Sequence, residues 1–192
     1  MNNKFALSAA TALILAATPA MAEDSSAGGV INFSGAITDT TCTINGGKSA
    51  DFTVALNPIS VDEAGTKPGI ITKNKKTVSL TFSNCTPASK TADAPLKIYF
   101  SSANNISTDG KYLLNTTVNE SDVKFARNVG FAITKTTDQT PLILNQPLVT
   151  NIKGNEATPE TLALDIYYYK TNALPAQVGS LSSNVTYTIS YL

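Results

Sequence analysis

The chain has 192 residues, 42% hydrophobic and 15% charged, with 14 basic and 14 acidic side chains. This is apolar material for one real core, with no net electrostatic pull toward nucleic acid or an anionic membrane. There is no histidine and no tryptophan, which removes the histidine-based nucleophilic machineries and the commonest metal ligand, and two cysteines are too few for a cysteine-based zinc site.

The first predicted element is a leader. Asn2, Asn3 and Lys4 make a short polar start with one positive charge, Phe5 to Ala17 is apolar and small, and Ala20-Met21-Ala22 has the small-x-small form of a cleavage site. This is the pattern of a secretory signal peptide over residues 1–22, and its apolar run is too short to span a bilayer. The mature chain is then expected to run from Glu23, with 170 residues and one excess negative charge.

Cys42 and Cys85 both lie in the exported part. An even pair in an oxidising compartment predicts a disulfide. The loop it closes spans 43 residues, which corresponds to about 4 kcal/mol of chain-entropy stabilisation.

From there on the hydrophobic period is two. Phe52, Val54 and Leu56 alternate, then Val78, Leu80 and Phe82, then Leu96, Ile98 and Phe100. Val129, Phe131 and Ile133 follow, then Leu162, Leu164, Ile166 and Tyr168, and finally Val185, Tyr187, Ile189 and Tyr191. Each run predicts a half-buried strand. Turn-rich segments separate them, among them Asn45-Gly46-Gly47, Thr108-Asp109-Gly110 and Lys153-Gly154-Asn155. Only Val61 to Ala64 suggests a helical turn. Six or more such strands predict an all-β fold, a sandwich of immunoglobulin-like size.

Other features carry bland readings. In Tyr167-Tyr168-Tyr169 consecutive strand residues face opposite ways, so core and exposed tyrosines are expected rather than one aromatic platform. Lys73, Lys75 and Lys76 read as a solvated strand entry. The only paired carboxylates, Asp62-Glu63 and Glu120/Asp122, nominate no acid–base pair, so no catalytic residue, cofactor or metal site is expected.

Two regions do not fit a plain sandwich. Residues 23–35 begin with a flexible Gly-rich leader and become a strand whose odd positions are Ala27, Gly29, Ile31 and Phe33. At the other end, an apolar alternating strand runs through Tyr191 and Leu192 with no polar tail.

Taken with the signal peptide, these features resemble the chaperone–usher pilins, most closely the major subunits of type 1-like fimbriae. The resemblance rests on Gly28-Gly29-Val30-Ile31-Asn32-Phe33-Ser34-Gly35, on Cys42 nine residues later than Phe33, on Ser83-Asn84-Cys85 closing a strand, on Gly179 fourteenth from the end, and on the penultimate Tyr191.

The resemblance implies an incomplete immunoglobulin-like β-sandwich lacking its last strand, formed by residues 36–192. A donor strand from a neighbouring subunit would complete it, with residues 23–35 as the donor extension. Ala27, Gly29, Ile31 and Phe33 would enter the acceptor groove. Gly179, Val185, Tyr187, Ile189, Tyr191 and Leu192 would form the C-terminal strand that the chaperone engages. The implied partners are identical or related fimbrial subunits, a periplasmic chaperone and an outer-membrane usher, with no nucleic acid and no small-molecule substrate. The implied location is a surface fimbrium reached through the periplasm. The alternatives are a minor or adaptor subunit, or a secreted β-sandwich binding module. A two-domain adhesin would need a further receptor-binding domain, for which the mature length leaves no room.

Overall fold

Alternating apolar residues build two antiparallel sheets that close on one core. The computed structural model describes residues 37–38, 40–48, 50–87, 94–116 and 124–191. The strands are β1 (Thr40–Ile44), β2 (Gly69–Pro87), β3 (Lys97–Ser101), β4 (Val129–Lys135), β5 (Pro147–Val149), β6 (Glu160–Lys170) and β7 (Thr186–Ser190), with one helical turn, α1 (Val61–Ala64). One sheet has the order β1-β2-β6-β4 and the other β5-β3-β7.

The inner faces meet in a cluster of Leu80, Phe82, Leu96, Ile98, Phe100, Leu113, Ile133, Leu164, Ile189 and Tyr191. Phe82, Leu96 and Ile98 are wholly buried, each worth about 1.5–3 kcal/mol relative to exposure. The period-two pattern therefore sets the inner face of β2, β3, β4, β6 and β7 as the sequence predicts.

Two expectations change. Residues 51–60 form no strand, although Val54 and Leu56 remain half-buried. Pro58 lacks an N–H, and this stretch is tied down by side chains instead. Asn74 Nδ2 donates to the Asn57 and Pro58 carbonyls (3.4 and 3.0 Å), and the Tyr168 hydroxyl donates to that of Asn57 (3.3 Å). Strands β1 and β5 are additional, and short or Thr-rich enough to show little apolar alternation. The expected helical turn at Val61–Ala64 forms, closed by a capping box in which Ser60 Oγ accepts the Glu63 N–H and Glu63 accepts the Ser60 N–H.

The tyrosine run differs too. Tyr167 and Tyr169 are buried and Tyr168 is half-buried, stacked on Phe131 at 5.6 Å. Tyr169 stacks on Tyr112 at 4.8 Å. The outer face of β6 meets Tyr112 at Tyr169 and, where β2 bulges, Lys75 at Tyr167, whose ring centroid lies 5.9 Å from the ammonium. Residues Thr72 to Lys75 stand opposite Tyr167 alone, since Ile71 pairs with Tyr168 and Lys76 with Ile166. The bulge brings Lys75 to 2.6 Å from the buried Asp165, which also accepts from Thr77 at 2.5 Å. Lys73 pairs with Glu63 at 3.1 Å. These lysines are therefore used within the fold.

Candidate assembly edge

Strand β7 lies at the end of its sheet, and among the described residues its one strand partner is β3. Which of its main-chain groups face outward follows from β3. The Leu96 and Phe100 carbonyls accept from Thr150 and Asn145 on the β5 side (3.1 and 2.8 Å). In an antiparallel ladder the main-chain direction alternates, so Lys97, Tyr99 and Ser101 turn toward β7. Their register partners Ser190, Thr188 and Thr186 are bonded there. Tyr187 and Ile189 are left pointing N–H and C=O to the outer side, while their side chains enter the core. The Ile189 carbonyl confirms this direction, because the Thr38 hydroxyl donates to it from outside the sheet.

Beneath this edge lie Ile189 and Tyr191, buried in the main core cluster, and Val185 and Tyr187, partly buried against it. The Tyr187 hydroxyl donates to the Ala50 carbonyl at 2.8 Å, with the half-exposed Phe52 ring 6.4 Å from its own. Burial pushes the Tyr187 phenol above the ordinary tyrosine value, and the Asp51 charge adds to this.

A second structure secures the end of β7. Cys42 and Cys85 form a disulfide that joins β1 to β2. The Cys85 N–H donates to the Gly154 carbonyl at 2.7 Å. A side chain on Gly154 would meet the Cys85 sulfur at 2.5 Å, so only glycine admits this approach. Glu160 accepts both the Lys153 and Gly154 N–H groups, at 3.1 and 2.5 Å. The Tyr191 hydroxyl donates to the Lys153 carbonyl. The turn after Ile152 therefore joins the disulfide to the penultimate tyrosine.

Gly179 lies ahead of β7 rather than in it. The 177–182 segment runs beside 124–127, with Ser180 donating to Lys124 and accepting from Ala126 (2.8 and 2.9 Å). A Cβ on Gly179 would come within 2.3–2.6 Å of the main chain of Lys124, Phe125 and Ala126. Nearby, Lys170 is fully buried at the end of β6, and its ammonium donates to the Asn128, Asn172 and Leu174 carbonyls. Burial pushes its pKa below the ordinary lysine value.

Of the residues singled out from sequence, Cys42 and Cys85 are bonded, Val185, Tyr187, Ile189 and Tyr191 lie together along β7, and Gly179 stands apart. Ala27, Gly29, Ile31, Phe33, Leu192 and the leader 1–22 lie outside the described residues. Thr38, Asp165 and Lys170 carry no sequence signal and Gly154 reads only as a turn glycine, because their partners are long-range main-chain and side-chain groups. Among the described residues no three His, Cys, Asp or Glu side chains are placed to hold a metal.

The fimbrial protein family model matches residues 31–192. No curated protein sequence matches the chain. Among solved structures, a chain of a chaperone–usher pilus studied for rod uncoiling is similar at 15% identity and TM-score 0.56, covering 86% of this chain and 96% of its own length. The Burkholderia pseudomallei antigen and type I fimbria protein BPSL1626 is similar at 14% identity and TM-score 0.50, covering 79% and 90%. At these identities the likeness concerns the fold. The match across the disulfide, both sheets and the C-terminal strand carries the assignment: this chain belongs to the fimbrial protein family, whose members are structural pilus subunits and not enzymes.

Proposed function

We propose that this protein is a shaft subunit of a chaperone–usher fimbria and polymerises by donor-strand exchange. The observation that carries the reading is the outer edge of β7. Tyr187 and Ile189 turn main-chain groups outward there, directly above buried core side chains. An edge of this kind binds an added strand through main-chain bonds and side-chain pockets, and left open it invites aggregation. Residues 23–35 are the donor, with Ile31 and Phe33 as anchors and Gly29 at a shallow point. A periplasmic chaperone covers the edge first and holds the Leu192 carboxylate by charge-assisted bonds. An outer-membrane usher then exchanges it for the next subunit's extension, placing the fibre on the cell surface.

The test uses the full mature chain expressed with its chaperone. Ile31→Asp with Phe33→Asp should abolish fibres while chaperone capture persists. Adding a peptide of residues 25–35 to the released variant should raise its melting temperature, because a ligand that binds only the folded state stabilises it. Normal fibres from the double variant, or no response to the peptide, would sink the reading. Residues appended after Leu192 should reduce chaperone co-purification. Undiminished capture would remove the carboxylate from the mechanism.

A further inference from the structure

The outer edge of β7 is closed at one point by the chain itself. Thr38 Oγ1 donates to the Ile189 carbonyl and accepts the Thr40 N–H at 3.3 Å. The hydroxyl is thereby held from both sides. Thr40 in turn is buried, and its hydroxyl donates to the Thr86 carbonyl at 2.8 Å, one residue beyond the disulfide at Cys85. The cross-link fixes β1 on β2, and β1 carries Thr38 across to the other sheet.

An incoming strand bonds the outward N–H and C=O groups of an edge strand in turn. On β7 these are both groups of Tyr187 and the N–H of Ile189, because the Ile189 carbonyl is already taken. We infer that Thr38 is the register stop of this interface: its hydroxyl ends the ladder of the donated strand at Ile189 and so selects which residues of the donor reach the core. This rests on the donor-strand reading above and adds to it a positioning residue in the acceptor subunit.

The experiment compares fibres assembled from the full chain as wild type, Thr38→Val and Thr38→Ser. Hydrogen exchange is followed residue by residue through the donor segment 25–35. Wild-type fibres should show a run of protected donor amides with a sharp end. Thr38→Val frees the Ile189 carbonyl, so one further donor amide should slow by about tenfold or more. Thr38→Ser keeps the hydroxyl and should keep the wild-type pattern. An unchanged protected set in Thr38→Val overturns the stop, as does loss of assembly in that variant or a Ser variant that shifts like Val. Wild-type fibres whose donor amides are all unprotected would instead overturn strand donation itself, and the stop with it.

Discussion

The hydroxyl of Tyr191 donates to the main-chain carbonyl of Lys153, next to the glycine that rests on the Cys85 sulfur. The end of β7 is thus anchored on the disulfide-bonded half of the sandwich. A tyrosine at this position has a task that phenylalanine lacks.

Tyr191→Phe should lower stability by about 0.5–1.5 kcal/mol, the net worth of one hydrogen bond. Tyr191→Ala, which also empties a core site, should cost roughly 3–5 kcal/mol. Urea unfolding of the subunit measures both. Burial raises the Tyr191 pKa, with the Glu160 charge adding to it. The folded state therefore holds its proton to higher pH than the unfolded chain, and stability should fall as pH rises past about 10. The Phe variant should show a shallower alkaline decline.

Gly154→Ala drives a methyl group into the Cys85 sulfur, and Gly179→Ala drives one into the backbone of residues 124–126. Each should cost about 1–3 kcal/mol or more, the range for forced overpacking. Their effects should separate by location. Gly154→Ala should make the disulfide easier to reduce, and Gly179→Ala should leave reduction unchanged while loosening amides of residues 124–127. Equal reduction rates in the two variants would contradict this division.

For Asp165, burial pushes the carboxyl pKa up. Hydrogen bonds from Lys75 and Thr77 and the attraction of the Lys75 ammonium outweigh it, so the group stays below the ordinary aspartate value. A depressed carboxylate adds stability above its unfolded pKa of about 3.9 and loses it as pH falls through the folded value. Acid unfolding curves of Asp165→Asn should therefore be flatter than wild type below about pH 4. Parallel curves would show that this pair does not govern acid stability.

Lys170→Met preserves much of the volume but leaves the Asn128, Asn172 and Leu174 carbonyls without their shared donor. A loss of about 1–3 kcal/mol is expected, because the variant gives up the hydrogen bonds of a charged donor. Faster exchange at Thr171 and Leu174, whose N–H groups bond Asn128 O and Asn172 Oδ1 (3.1 and 2.9 Å), should accompany it. Unchanged exchange there would mean that the ammonium does not organise this end of the sandwich.

Hydrophobic period, cysteine count and the spacing of a few marked residues determined much of this protein. Alternation at Leu96-Ile98-Phe100 or Leu162-Leu164-Ile166 states which face of a strand is buried, because side-chain direction in an extended chain is a local property. It does not state which strand lies alongside. Phe52-Val54-Leu56 alternates as well, yet it forms no strand pairing with the other described residues. Tertiary structure decided the sheet orders, and with them that β7 is an edge. It also decided the contacts made by polar residues far apart in sequence. Thr38 meets Ile189, Lys75 meets Asp165 across the β2 bulge, and Lys170 gathers three loop carbonyls. Hydrogen-bond partners at such separations are chosen when the sheets assemble and the buried polar groups must be satisfied, and no local pattern encodes that choice.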